Sequence, residues 1–324
     1  MKKVCITGVN GFIGEPLSKA LVASGKKIRG FTRSPCNQIN SNEIEYVVIG
    51  DITKNINWSN YLKGYECIIH CAGKAHSTNK NDKLDDYLSI NTVSTRVLAE
   101  EAVKAGVKRF VFLSSIKVNG ESTFKINNED ENQKIFTYND TPNPKDFYGV
   151  SKLEAEKALR KISVESGLEL VILRLPLVYG YGVKGNLLKL IKLINLGTPL
   201  PFSLIENQRS LIGIDNLIDL LLICIDHKKA PGNTFLVSDN EDLSTTELIN
   251  YIATAMKRSS YFFPVPISIL KFISFILRRK GDMERLIGNL QIDISQTRKI
   301  LNWEPPFSVD EGIKRMVRGN DPFI

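Results

Sequence analysis

The chain has 324 residues, 43% hydrophobic and 24% charged, with a formal net charge of +8. That length carries two subdomains, or one large α/β unit with a lobe. The composition is that of a globular chain rather than a disordered or fibrous one. The basic residues are spread along the sequence, which argues against a nucleic-acid face and suits anionic small substrates.

Lys3 to Thr7 is a short apolar run, followed by Gly8-Val9-Asn10-Gly11-Phe12-Ile13-Gly14 and a helical pattern over Glu15 to Ala23. Strand, glycine turn and helix in that order make a dinucleotide site. Gly8 is read as the sharp turn, Gly11 as the point where backbone N–H groups meet a pyrophosphate, and Gly14 as the close packing of helix on sheet. Further strands are expected at Lys27 to Thr32, Ile44 to Ile49, Glu66 to Cys71 and Lys108 to Ser114, with one long helix over Tyr87 to Ala105. Alternation of this kind predicts a Rossmann-type doubly wound parallel sheet with helices on both faces. Asn119 to Lys145 reads as a long polar loop, Phe147 to Ser166 as a helix and Leu168 to Leu173 as a sixth strand. Residues 1–175 are therefore expected to bind the dinucleotide. Residues 176–324, richer in proline and glycine, are expected to form a smaller substrate lobe with some segments returning to the large domain.

Five cysteines at unrelated spacings do not make a disulfide framework and fit a reducing, cytoplasmic setting. Cys67 and Cys71 are read as small buried apolar residues, because four residues of strand span about 13 Å. The three histidines make no metal-ligand set; His70 is read as a core residue and His76 as a substrate contact. No signal peptide is visible, since Val9-Asn10-Gly11 interrupts the apolar N-terminus. Tyr261 to Leu277 is the most hydrophobic stretch. It falls short of the ~20 apolar residues of a spanning helix, and it is read as a helix packed on the lobe, with peripheral membrane contact as the competing reading.

Tyr148 and Lys152 stand four apart, about 5–6 Å between Cβ atoms on one face of a helix. A lysine ammonium there is expected to lower the phenol's pKa and fit it for proton transfer. Ser114-Ser115 ends the fifth strand, the edge where ligands bind in an open α/β sheet.

With these residues in place, the chain resembles the extended short-chain dehydrogenase/reductases of the nucleotide-sugar epimerase, dehydratase and reductase group. The resemblance rests on Thr7-Gly8-x-x-Gly11-x-x-Gly14, Ser115 to Gly120, Tyr148-x-x-x-Lys152, Arg174 to Gly180, Arg209 to Asp215 and Leu301 to Pro305, in that order. It implies Tyr148 as acid/base, Lys152 on the nicotinamide ribose and Ser115 on the sugar oxygen. It also implies cofactor contacts at Asp51, Ile52, Cys71, Ala72, Gly73, Asn91 and Pro176, beside Phe12 and Ile13 of the turn. Substrate contacts are implied at Lys74, Asn186 and Arg209, the last on the diphosphate of a UDP-sugar. Arg33 follows the second strand where NAD enzymes usually carry an acid, so NADP is favoured, with NAD as the competing reading.

Pro176 to Asn186, Arg209 to Asn216, Leu236 to Asp239 and Gly288 to Asp293 are most similar to bacterial reductases of UDP-4-keto-6-deoxy-N-acetylhexosamines, the group that makes UDP-N-acetylquinovosamine for surface polysaccharide. Leu177 stands where many epimerases carry an asparagine. The expected activity is accordingly a 4-keto-sugar reductase, with a UDP-hexose 4-epimerase as the alternative and a non-catalytic dinucleotide-binding regulator as a remote one. A dehydratase is disfavoured because Ile116 and Lys117, not acids, follow Ser115. The resemblance further implies a homodimer formed through two helices, one of them bearing Tyr148.

Overall fold

A computed structural model describes residues 2–35, 40–75, 82–123, 135–276 and 280–319. Seven parallel strands form the main sheet: β1 (Lys3–Thr7), β2 (Lys27–Thr32), β3 (Ile44–Val48), β4 (Cys67–His70), β5 (Arg109–Ser115), β6 (Glu169–Leu175) and β9 (Thr234–Leu236), in the spatial order β3-β2-β1-β4-β5-β6-β9. The order reverses between β1 and β4, and a crevice opens there at the carboxyl ends of the strands.

Alternation of side chains along each strand divides two cores between the faces. Val4, Ile6, Ile69, Val111 and Leu113 face a core shared with α1 (Gly14–Ala23) and α7 (Ile214–Asp226). Cys5, Ile68, Phe110 and Phe112 face the opposite core, shared with α2 (Trp58–Leu62), α4 (Ser94–Lys104) and α5 (Phe147–Ser166). Strands buried on both faces need apolar residues at nearly every position, which is why these segments read as continuous runs.

Two segments of the C-terminal half return to the main sheet. β9 pairs with β6, and α7 packs beneath β5, where the Arg109 guanidinium donates to the Cys224 and Ile225 carbonyls at 2.8 and 2.6 Å. A cation there satisfies carbonyls that the last turn of a helix leaves free. A second sheet joins β7 (Leu177–Tyr179), β8 (Arg209–Gly213) and β10 (Asp242–Leu243) in the order β10-β8-β7. It adjoins a third core built with α6 (Gly185–Asn195), α8 (Thr245–Ala255) and α12 (Val309–Arg318). Three more helices, α9 (Ile267–Ile276), α10 (Lys280–Ile287) and α11 (Ser295–Leu301), complete the described chain.

The single helix expected over Tyr87 to Ala105 is broken. α3 (Leu84–Tyr87) leads into a π-helical turn at Leu88–Val93 before α4 begins. Such a turn inserts an extra residue and rotates the helix beyond it, and it commonly marks a functional site. Asn91 lies in it. The polar loop after β5 is tied down at both described ends: Thr123 N–H donates to the Asn289 carbonyl at 2.9 Å, and buried Phe136 pairs with Ile292.

Candidate active site

The glycine turn is shaped by contacts that exclude side chains. Gly8 has φ +68°, and a Cβ on it would stand 3.1 Å from the Ala72 amide nitrogen. A Cβ on Gly14 would stand 2.1 Å from the Gly8 carbonyl oxygen, so α1 approaches the turn only because residue 14 lacks one. The Gly11 N–H donates to the Gly8 carbonyl at 2.9 Å. It is turned inward, so the groups left for an anion are the N–H of Phe12 and Ile13, which make no hydrogen bond among the described residues. Both line the cleft at the start of α1, where the helix dipole favours negative charge.

Next to the turn, Thr7 Oγ1 meets His70 Nδ1 at 2.7 Å and accepts from the Ala72 N–H at 3.2 Å, while His70 Nε2 meets Thr95 Oγ1 at 2.9 Å. Burial lowers the His70 pKa to about 3, so the ring is neutral and structural. Cys71, Ala72 and Gly73 then pass over Lys152: a Cβ on Gly73 would stand 3.5 Å from Lys152 Nζ and 3.1 Å from Asn91 Oδ1. The π-helical turn aims Asn91 at this strip. Its Oδ1 accepts from the Lys74 N–H at 2.8 Å, and its Nδ2 donates to the Lys74 carbonyl at 3.0 Å and to Ser151 Oγ at 2.9 Å. The Lys74 ammonium is itself paired with Asp82 at 2.9 Å and lies over the Tyr87 ring. His76 lies outside the described residues.

Tyr148 and Lys152 sit in the first turns of α5, which Asp146 caps by accepting from the Gly149 N–H at 2.7 Å. Ser115 is the last residue of β5, and its hydroxyl lies near enough to the Tyr148 phenol to favour the phenolate. Lys152 is 5% exposed; its Nζ donates to the Leu113 carbonyl at 2.8 Å and lies 5.9 Å from the centre of the Tyr148 ring. The expected lowering of the phenol is not found. Burial pushes the Tyr148 pKa up to about 12, with the Ser115 hydroxyl pulling the other way. Burial also pushes Lys152 down to about 8. Desolvation is the largest cause of both shifts, and the ammonium is engaged with the Leu113 carbonyl.

Beneath this trio lies a buried network with no counterpart in the sequence reading. Glu156, one helical turn beyond Lys152, receives both arms of Arg174 at 3.0 and 2.7 Å and the Ser114 hydroxyl at 2.6 Å. Arg174 also donates to Asn119 Oδ1 at 2.9 Å. A bidentate pair satisfied on all sides locks α5 against β5 and β6. The continuing i, i+4 spacing from Tyr148 through Lys152 to Glu156 was the available signal.

Ser115 and Tyr148 of the trio line a cleft of about 2550 Å³ bordered by both halves of the chain, with Lys152 buried behind them. Pro176, Leu177, Asn186 and Arg209 line it, as does Arg285 of α10. Arg209 donates to the Gly288 carbonyl at 2.7 Å. Burial, and then the like charge of Arg285, lower its pKa to about 10. Two guanidinium groups brought together in a cleft suit a multiply charged anion. Arg285 was missed in the sequence, where nothing in its spacing ties it to Arg209.

Arg33 is exposed beyond β2, and Asp51 follows β3 on the neighbouring strand. The Thr53 N–H and hydroxyl, both at 2.9 Å, hold the Asp51 carboxyl below its usual range, and Arg33 adds a smaller pull. An acid therefore stands near Arg33, supplied by a different strand from the one searched in the sequence. Ile52 packs its side chain on the core beneath.

Residues 4–238 match the NAD dependent epimerase/dehydratase family. The chain belongs to that family. It is 40% identical over 318 residues to a UDP-glucose 4-epimerase of Vibrio cholerae, covering 97% of this chain and 94% of the relative. It is 24% identical over 271 residues to the N-acetyl-alpha-D-glucosaminyl-diphospho-ditrans,octacis-undecaprenol 4-epimerase of Escherichia coli O157:H7, covering 82% and 77%. Among solved structures, the UDP-glucuronic acid 4-epimerase of Bacillus cereus in complex with NAD superposes with a TM-score of 0.77 at 20% identity, covering 98% of this chain and 97% of that one. This last likeness bears on the fold.

Proposed function

We propose that this family member is an NAD-dependent UDP-sugar 4-epimerase. The observation that carries the reading is Tyr148 and Ser115 brought together in the cleft beside Lys152, at the mouth of β5 and β6, in a chain 40% identical over nearly its whole length to a relative named for that activity. The sequence alone favours a 4-keto-sugar reductase; the relative reverses the order.

The cradle suits a dinucleotide. Gly8, Gly11 and Gly14 leave no Cβ in the turn, and the Phe12 and Ile13 N–H groups are available to a pyrophosphate. Asp51 and Ile52 would border the adenosine end, and Cys71, Ala72, Gly73, Asn91, Lys152 and Pro176 the nicotinamide end. When bound, the dinucleotide supplies the acceptor and donor of hydride at C4. Tyr148 then moves the proton at the 4-oxygen, with Ser115 holding that oxygen beside the phenol. Lys152 keeps positive charge on the proton's route. Arg209 and Arg285 would clamp the diphosphate, and Asn186 would lie along the nucleotide. NAD is the proposed cofactor because Asp51 would oppose a 2′-phosphate; Arg33 carries the NADP reading.

A second reading, the 4-keto-sugar reductase, is favoured by Leu177, which is 46% exposed in the cleft and offers no amide to a uridine diphosphate. The phenol's pKa of about 12 also leaves it protonated at neutral pH, the form a reductase needs. Incubation with UDP-hexoses, and with a UDP-4-keto-6-deoxy-N-acetylhexosamine plus NADH or NADPH, separates the two. Interconversion of UDP-sugars without net cofactor consumption supports the epimerase; stoichiometric oxidation of reduced cofactor supports the reductase. Tyr148→Phe should lower either turnover by about 10²–10⁴-fold while leaving cofactor binding intact. Turnover equal to the parent's would remove Tyr148 from both mechanisms.

A further inference from the structure

α9 is apolar on every side, and a helix of that kind is normally buried in a core. Its sequence, Ile267 to Ile276, has Lys271 as the one charged residue. Only Leu270 and Ser274 of its ten residues are buried. Phe272, Phe275 and Ile276 are 64, 72 and 61% exposed, and Ile269 and Ile273 are exposed beside them. Tyr261 and Phe263, just upstream, add two exposed aromatic rings. The reading of this stretch as a helix packed on the lobe is thus corrected: the helix forms, but it packs through two residues and leaves a broad apolar surface outside. An exposed surface of this size needs a partner.

Charge narrows the choice. Residues 248–281 carry Lys257, Arg258, Lys271, Arg278, Arg279 and Lys280 and no aspartate or glutamate, and Asp282 and Glu284 follow on α10, which packs against α9. Aromatic and branched apolar side chains in a stretch of sequence with a basic excess suit the headgroup layer of an anionic bilayer. No helix among the described residues is long and apolar enough to cross a membrane. A helix of ten residues with this surface lies in the interface rather than through it.

We infer that α9 docks the protein on the surface of an anionic phospholipid bilayer, with Phe272, Phe275 and Ile276 entering the acyl boundary and the basic character of the surrounding sequence drawing it to anionic headgroups. Ile267 and Lys271 of the same helix line the cleft, so docking sets the cleft beside the lipid headgroups. This inference is independent of which sugar reaction the cleft performs.

The test is co-sedimentation of the full chain with vesicles of phosphatidylcholine alone and of phosphatidylcholine with phosphatidylglycerol. The protein should sediment with the anionic vesicles and be released as salt is raised. Phe272→Glu/Phe275→Glu should weaken that binding by at least about tenfold. Its melting temperature, its mass in solution and its turnover of soluble substrate should remain those of the parent. Absence of binding to anionic vesicles, or equal binding by the double variant, would overturn the inference. A variant that loses half its mass in solution would overturn it too, by assigning the face to a second copy of the chain.

Discussion

Replacing Lys152 with methionine should make the fold more stable while abolishing turnover. The ammonium is buried beneath Gly73, and its pKa is brought from 10.5 to about 8, chiefly by desolvation. At about 1.4 kcal/mol for each pH unit, holding that charge costs the folded state about 3 kcal/mol at neutral pH. Methionine keeps the length of the stem and removes the charge. The Leu113 carbonyl then loses the donor now 2.8 Å away, a loss of about 1 kcal/mol. A net gain of about 1–2 kcal/mol remains, a rise of roughly 1.5–3 °C in melting temperature for a chain of this length.

The sign with pH is fixed by the direction of the shift. Below about pH 8 the lysine is charged in both states, and the folded state bears the whole cost. Between about 8 and 10.5 the folded form has released its proton while the unfolded form still holds it, so wild-type stability from this group climbs with pH. The advantage of the variant should therefore be largest near neutral pH and shrink toward about pH 10. Scanning calorimetry of both proteins at about pH 7 and about pH 10 reads it directly. A variant that melts below the parent at neutral pH, or an advantage that does not change with pH, would refute the account of Lys152 as a destabilising charge retained for chemistry.

Glu156→Ala should cost about 3–5 kcal/mol in denaturant unfolding, because it leaves the buried Arg174 guanidinium without its carboxylate; a cost below about 1 kcal/mol would show that the network is not closed as described. Gly14→Ala places a Cβ 2.1 Å from the Gly8 oxygen, so α1 must shift away from the turn; calorimetric NAD titration should show affinity weakened by at least about tenfold. Arg285→Gln should raise KM for a UDP-sugar by about 10–100-fold with kcat and melting temperature little changed, since it removes a charged contact made equally in ground and transition states. A fall in kcat instead would move Arg285 from the diphosphate to the reacting centre.

The positions of the first six strands along the chain, the glycine turn and the face shared by Tyr148 and Lys152 were legible in the sequence because each is a local property. Continuous apolar runs, a Gly8 that must take positive φ and a four-residue helical spacing are each written within a few positions. The π-helical turn at Leu88–Val93 was not legible, because what selects it is the set of bonds Asn91 makes to Lys74 and Ser151 across 17 and 60 residues. The direction of the Tyr148 pKa was misread for a related reason: spacing places an ammonium near a phenol, but burial is the largest cause of the shift, and the ammonium is engaged with the Leu113 carbonyl.

The Glu156–Arg174 ion pair, the nearness of Arg285 to Arg209 and that of Arg33 to Asp51 are made only by the tertiary structure. So is the exposure of α9, whose sequence has the composition of a core helix. Hydrophobic period and turn chemistry act over a few residues and can be read one segment at a time. Desolvation and Coulomb interactions depend on distances through space, and those are set only when the sheet, its helices and the C-terminal lobe have closed around the same cleft.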